Sequence, residues 1–459
     1  MPYVAVDPST GRELSRIPST TLAEARLAAA RAARVAPEWW ATGFEERAGR
    51  LTALAAALRA QVEPLARRMA LEMGKPLAEG RSEVEKCAWV CEYYAEHAER
   101  FLAPQSAETE AVRSGWVYRP LGVVLAVMPW NFPLWQFFRF AAPALMAGNG
   151  VLLKHASSVP GCAADIQSLL DEAGLPDGLA SVLFLESSDV GDLIDDRHVH
   201  AVTLTGSVPA GRSVAERAGR ALKKTVMELG GSDASVVLSD ADLDFAAAES
   251  VRSRLINNGQ SCIAAKRFVV VDELHDAFVE RVLDELAQVV MGSPLDDETT
   301  LGPMAREELR DELHDQVRKS VKAGAKVRVG GEVPDRPGAW YPATLLTEVG
   351  PGMPAYEEEL FGPVAAVIRA RDDDDALRIA NDTDFGLGGA IYTADLARGE
   401  RLAADRLHAG ACFVNGLVRS DPRLPFGGIG ISGYGRELSP LGIREFVNAK
   451  TVWVGEPGG

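Results

Sequence analysis

The sequence predicts an α/β protein with two sheet-containing domains and a small additional element. Three observations carry this. The chain has 459 residues, which at roughly 150 residues per domain makes about three structural units. From Val117 onward, short apolar runs the length of buried strands alternate with helical segments, as a mostly parallel sheet requires. A second alternating series begins near residue 230, enough for a second α/β unit.

The first hundred residues read as helices. Thr21 precedes Glu24 by three, the spacing of a capping box, and an Ala/Leu/Arg run follows. Pro64 suits a helix's first turn, Gly74 a C-terminal cap, and Pro76 the start of the helix through KCAWVCEYYAEHAERFL. At least four helices therefore precede residue 105. The first strand series is LGVVLAVM, GVLLK, SVLFL and AVTLTG; the second is KRFVVV, KVRVGG, AAVIRA and GGAIYT. In parallel sheets ligands collect at the carboxyl ends of strands, so chemistry is expected in the loops that follow these runs. The acidic run Asp372 to Asp375 reads as a helix start, where carboxylates favour the positive end of the dipole.

Composition narrows the function. Hydrophobic residues make up 47% and charged residues 25%, so a large core is available. The 48 Lys plus Arg against 65 Asp plus Glu leave a net charge of −17, which excludes a broad phosphate-binding face; no nucleic-acid partner is expected. The cysteines at 87, 91, 162, 262 and 412 are an odd, thinly spread set, read as reduced thiols. The start MPYVAVDPSTGREL has no secretory pattern, and the stretches Leu121 to Pro129 and Phe137 to Ala147 fall short of the ~20 residues of a membrane span. A soluble cytoplasmic protein without a membrane partner is the expectation. Cys87 and Cys91 share a helix face and His198 and His200 a strand face, but neither set gathers four ligands, so no metal site is expected.

The candidate chemistry lies in a few loops. In INNGQSCIAAKRFVVV, Cys262 stands between a helical stretch and a strand, either an exposed nucleophile or a small buried hydrophobe. Glu228 in KKTVMELGG ends an apolar run before two glycines, either a general base or a strand-end carboxylate paired with a lysine. Asn131, in VLAVMPWNFPLWQFFRF, precedes a helix opened by Pro133; it is an amide donor in a strand-end crevice or a plain N-cap. The loops TGSVPAG (Gly206, Ser207, Gly211) and KHASS (Lys154) suit a phosphate ligand at helix N-termini.

Taken in order, LAVMPWNFP, GNGVLLKHAS, LTGSVPAG, MELGG, NNGQSC, EELFGPV and PFGGIGISGYGRE resemble the aldehyde dehydrogenase superfamily over nearly the whole chain, closest to short bacterial succinate-semialdehyde dehydrogenases. The resemblance implies two Rossmann-like parallel α/β domains: residues 1–105 and 121–229 for the cofactor and 230–439 for catalysis. Residues 106–120 and 440–459 would form a small β oligomerisation element joining a homodimer or homotetramer. Cys262 would attack the aldehyde carbon, Asn131 and the Cys262 N–H would hold the oxyanion, and Glu228 would activate water for thioester hydrolysis. The hydride needs an acceptor that no side chain provides. Met128, Pro129, Trp130, Lys154, Ala156, Ser157, Gly206, Ser207, Gly211, Leu229, Glu359 and Phe361 match the family's cofactor contacts.

NADP is the preferred cofactor on this reading, with NAD possible. Ser157 stands where NAD-preferring relatives often carry Glu, and Lys154 and His155 are close in sequence; the alternative is that Ser157 caps the next helix. For the substrate, Trp135 and Arg139 lie four apart on one helix, and the resemblance sets Arg139 and Ser420 where a distal carboxylate is held, with Trp135 and Phe426 as apolar wall. The expected substrate is a small aldehyde with a distal carboxylate, succinate semialdehyde first. If Arg139 instead pairs with an acidic side chain, a neutral or longer aldehyde fits the same catalytic set. Ala264 stands where some relatives have a second cysteine, so no local redox switch is expected. A CoA-acylating variant is disfavoured by Glu228, and a silent scaffold by the intact set Cys262, Glu228, Asn131 and Lys154.

Overall fold

In the computed structural model, which describes residues 2–457, the chain folds around two large sheets. The first has six strands, in the spatial order Gly433–Tyr434, Lys224–Glu228, Ala201–Thr205, Val123–Met128, Gly150–His155 and Ala180–Leu183. The last five are parallel; the short Gly433–Tyr434 strand returns from late in the chain to pair antiparallel with Lys224–Glu228. The apolar runs are continuous because both faces are covered. Along Val123–Met128, Val123 and Leu125 meet Ala25, Ala29 and Ala32 of the helix Leu22–Ala41. Val124 and Ala126 face the opposite core, with Leu54, Phe137 and Leu145. A period of two thus feeds two cores from one strand.

The second sheet has seven strands, ordered Lys326–Val329, Thr344–Thr347, Val364–Ala370, Arg267–Val271, Ala234–Val237, Gly388–Tyr392 and Ala411–Val414. All are parallel except Lys326–Val329, an exposed antiparallel edge. Three of these, Ala234–Val237, Thr344–Thr347 and Ala411–Val414, are four residues long and were not among the runs read from sequence. Nor was the N-terminal hairpin Tyr3–Val6 with Glu13–Ile17, although DPSTG between them is turn chemistry. His198 and His200 lie in the turn before Ala201–Thr205, not on a strand face.

The stretches expected to form an oligomerisation element pair with each other in one chain. Val447–Val454 runs antiparallel to Arg113–Pro120 over eight registered pairs, and Gln105–Ser106 completes a three-stranded sheet. Among the described residues no helix is long and apolar enough to cross a membrane.

The N-terminal helices match their sequence signals. Thr21 and Glu24 form a reciprocal capping box, Gly74 closes Val62–Met73 in the left-handed conformation, and Pro76 caps Leu77–Phe101. Asp372 caps Asp373–Ala380 through the Asp375 N–H. The helix Leu77–Phe101 is what positions the site. Its Glu83 is buried, pairs with buried Lys75, and accepts the N–H groups of Leu134 and Trp135 at 2.9 Å each. That carboxylate satisfies the open N-terminus of Trp135–Met146, where the cap residue Leu134 offers no side-chain acceptor. The helix therefore starts at Trp135, and Asn131 is not its cap, contrary to the start at Pro133 read from sequence. Replacing Glu83 by Ala strands the Lys75 ammonium and two N–H groups, and a loss of about 3–5 kcal/mol is expected in denaturant unfolding; a loss below about 1 kcal/mol would show that solvent replaces these bonds.

Candidate active site

Two loops, one from each large sheet, meet at the site. The first follows Val123–Met128 and carries Asn131. The second follows the helix Leu243–Leu255 and turns sharply through Asn257 and Asn258, both left-handed at φ 56°, a conformation Asn tolerates better than most residues. The turn is fixed from every side. The Asn257 N–H donates to Glu79 at 2.6 Å, the Asn258 amide reaches the carbonyls of Gly74 and Pro303 at 2.8 and 3.0 Å, and Gln260 Oε1 accepts the Ala305 N–H at 2.9 Å. Lys266 then donates back to the carbonyls of Ser261 and Cys262 at 2.8 and 2.5 Å. Cys262 is held in a turn rather than buried as one more apolar side chain.

Asn131 is bonded directly to this second loop. Its Nδ2 donates to the Gln260 carbonyl at 2.9 Å, its Oδ1 accepts Gln136 Nε2 at 3.1 Å, and its own carbonyl accepts Asn257 Nδ2 at 2.7 Å. An amide has two N–H donors, so one hydrogen of Asn131 is left over. Among the described residues the Cys262 N–H has no acceptor either. Asn131 and Cys262 both line a cavity of about 240 Å³.

Of the residues matched to cofactor contacts, Pro129, Trp130, Gly206, Ser207, Leu229, Glu359 and Phe361 line that same cavity. Trp130 and Phe361 meet edge to face at 5.8 Å. Glu359 accepts the Gly231 N–H at 3.0 Å and lies 3.4 Å from the Lys266 ammonium. Gly206 and Ser207 open the thirteen-residue helix Val208–Arg220, an N-terminus suited to a pyrophosphate. A Cβ on Gly211 would sit 2.5 Å from Leu229, so that glycine serves the packing of the cavity wall. A Cβ on Gly230 would sit 2.3 Å from Glu359, which keeps the wall shallow there. These residues fit a dinucleotide.

The rest of the set lies outside the lining. Met128 is buried beneath it. Lys154 donates to Ser187 at 3.2 Å, and Ala156 and Ser157 follow in the turn after Gly150–His155. Ser157 is exposed and does not cap the next helix, whose cap position is Val159. His155 offers no charge to a phosphate. It is fully buried, its ring bonded to the Pro133 carbonyl and the Ala156 N–H, and burial pushes it down to about 4.

The substrate side differs from the sequence expectation. Trp135 lines a second cavity of about 760 Å³, with Phe132, Lys86 and Arg419. Arg139 does not: it is 3% exposed, in a buried ion pair with Glu437, and its guanidinium covers the Phe426 ring at 4.6 Å. Helical spacing put Trp135 and Arg139 on one face, but the acidic partner takes the arginine inward. Phe426 is core, and Ser420 is buried behind Trp135, accepting its Nε1–H at 3.1 Å. Lys86, which donates to Ser420 at 2.9 Å, was missed; a lone lysine on a helix carries no sequence signal.

Glu228 is buried, and neither carboxylate oxygen has a hydrogen-bond partner among the described residues. Burial and the nearby Glu437 push it well above the usual carboxylate range. Leu229 and Gly230, the next two residues, are on the cavity wall. Burial also pushes the Cys262 thiol up to about 12, against the pull of Lys266 and Arg139.

A cysteine and unclaimed N–H donors on the wall of one cavity between two α/β sheets, beside a helix N-terminus suited to a pyrophosphate, suit a nicotinamide-linked dehydrogenase of the covalent type. The chain belongs to the aldehyde dehydrogenase family, whose model matches residues 2–452. It is 48% identical to succinate-semialdehyde dehydrogenase [NADP(+)] 1 of Mycobacterium tuberculosis, over 99% of this chain and 100% of that protein. It is 46% identical to the succinate semialdehyde dehydrogenase [NAD(P)+] Sad of Escherichia coli, over 98% and 97%. Among solved structures, succinic semialdehyde dehydrogenase from Streptococcus pyogenes in complex with NADP+ superposes with a TM-score of 0.96 at 37% identity, covering 99% of this chain and 100% of that one.

A thiol held near 12 is almost wholly protonated at neutral pH. In the cofactor-free protein, iodoacetamide labelling of Cys262 is therefore expected to rise about tenfold per pH unit from 7 to 10 without levelling. A plateau below pH 9 would show a thiolate already stabilised. Asn131→Ala, which removes both the spare donor and the bond to Gln260, is expected to lower kcat on the order of 100-fold in initial-rate measurements.

Proposed function

We propose that this protein oxidises succinate semialdehyde to succinate, with NADP as the preferred cofactor and NAD used less well. The observation that carries the chemistry is the placing of Cys262 and Asn131 on one cavity wall with two N–H donors to spare. Full-length relatives named for this substrate and cofactor support the particular reaction.

The Cys262 sulfur attacks the aldehyde carbon, and the carbonyl oxygen becomes an oxyanion between the free Asn131 amide hydrogen and the Cys262 N–H. Burial keeps the resting sulfur protonated, so the thiol proton passes to solvent water as the carbon–sulfur bond forms. Gly206 and Ser207 would hold the pyrophosphate of the dinucleotide, and Leu229, Glu359 and Phe361 its nicotinamide end, which when bound would supply the hydride acceptor. The thioester left on Cys262 is hydrolysed by water that Glu228 deprotonates; a carboxylate shifted upward is the stronger base once ionised. Ser157 places no carboxylate where a 2′-phosphate would lie, and Lys154 adds a cation nearby, which supports NADP.

On the same reading the six-stranded sheet binds the cofactor and the seven-stranded sheet carries the nucleophile. The three-stranded sheet, whose outer strand exposes Val452, Trp453 and Val454, joins copies into a homodimer or homotetramer in the cytoplasm. One observation favours a second reading, a neutral aldehyde: Arg139 is taken up by Glu437.

Initial rates with succinate semialdehyde and with butanal, using NADP or NAD, separate the two. The first reading expects kcat/KM for the semialdehyde to exceed that for butanal by at least about tenfold, with NADP the better cofactor. A preference for butanal would support the second reading and leave the Cys262 chemistry standing.

A further inference from the structure

With Arg139 committed to Glu437, the larger cavity needs another cation if it is to receive a carboxylate, and it has one. Lys86 projects from the helix Leu77–Phe101 onto the wall of this cavity. Its ammonium lies 4.3 Å from the centroid of the Trp135 ring and donates to Ser420 Oγ at 2.9 Å. Among the described residues it makes no ion pair. The carboxylates that act on it are engaged elsewhere: Glu83 by Lys75 and two backbone N–H groups, and Asp421 by Arg423 at 2.6 Å. On the cavity wall, Glu79 holds the Asn257 N–H and Glu249 faces Arg252 at 3.3 Å.

Ser420 supplies the second observation. Its oxygen accepts from both Lys86 and Trp135, which uses its acceptor sites and leaves its own O–H to donate. Among the described residues that hydrogen has no acceptor. Ser420 thus fixes the ammonium beside Trp135, and a half-buried ammonium without a counter-ion on a cavity wall is completed by a carboxylate.

We propose that Lys86, held in place by Ser420 behind it, binds the distal carboxylate of the substrate and is the specificity-determining cation of this enzyme. The inference rests on the semialdehyde reading above and assigns its carboxylate to residues other than Arg139. Burial and the Arg139 charge push the Lys86 ammonium down to about 8, a cost that a bound carboxylate offsets. The exposed Arg419, on the same wall, adds positive charge on the approach.

The test compares the native protein with Lys86→Met, Lys86→Gln and Lys86→Arg, measuring KM and kcat for succinate semialdehyde and butanal and the inhibition of butanal oxidation by succinate. Loss of the ammonium is expected to reduce the semialdehyde-to-butanal ratio of kcat/KM on the order of 10- to 100-fold, mainly through KM. Succinate should inhibit more weakly by a similar factor, and Lys86→Arg should keep most of the preference. Met removes the charge while keeping an apolar stem and Gln keeps polarity, so either variant that folds decides the matter. A native preference that survives in the Met or Gln variant, or equal losses on both aldehydes, would overturn the assignment to Lys86 while leaving the semialdehyde reading intact. A native protein without the preference would overturn both.

Discussion

The site depends on the hydrogen bonds that tie Asn131 to the loop leading to Cys262. Asn131 gives one amide hydrogen to Gln260 and receives Asn257 on its own carbonyl, so the end of a strand in one sheet is bonded to the nucleophile loop of the other. The six-stranded and seven-stranded sheets each have cores of their own, and these bonds tie the loop carrying Cys262 to the strand end carrying Asn131. The left-handed turn at Asn257 and Asn258 is held from outside by Glu79, Gly74 and Pro303, all from elements other than the loop itself. A donor aimed in advance at where charge develops costs no reorganisation during the reaction.

Most of the buried charges are matched within the fold. Lys75 with Glu83, Arg139 with Glu437, and Lys266 with Glu359 are matched pairs. Arg267 is satisfied by the carbonyls of Ser232, Ile379 and Ala380. Glu228 and Lys86 have no such match: Glu228 is buried directly before the cavity-wall residues Leu229 and Gly230, and Lys86 stands on the wall of the larger cavity. A polar group left without a partner is unfavourable in the resting fold and useful where a ligand or a proton supplies the missing partner.

Much of this was legible because burial on both faces writes strands as unbroken apolar runs, as in Val123–Met128 and Gly150–His155. Cys262, Asn131 and the Gly206–Ser207 helix start lie at strand–loop junctions, where a parallel sheet puts its ligands. Short or half-covered strands such as Ala411–Val414 left a weaker trace. For Arg139 the sequence leaves open a substrate carboxylate or an acidic side chain, because helical spacing shows which side chains share a face and not which distant residue comes to meet them; Glu437 arrives from the end of the chain. Lys86 was silent for the same reason, since its meaning depends on Ser420 and Trp135 converging on it.

In the proposed reaction, oxidation passes through an acyl group on Cys262 that Glu228 then releases. The most direct measurement is mass spectrometry of peptides from Glu228→Gln protein quenched after mixing with NADP and succinate semialdehyde. A succinyl adduct confined to the peptide containing Cys262 is expected, appearing with a burst of NADPH and persisting far longer than in the native enzyme. NADPH formation without any adduct on that peptide would contradict the proposed reaction.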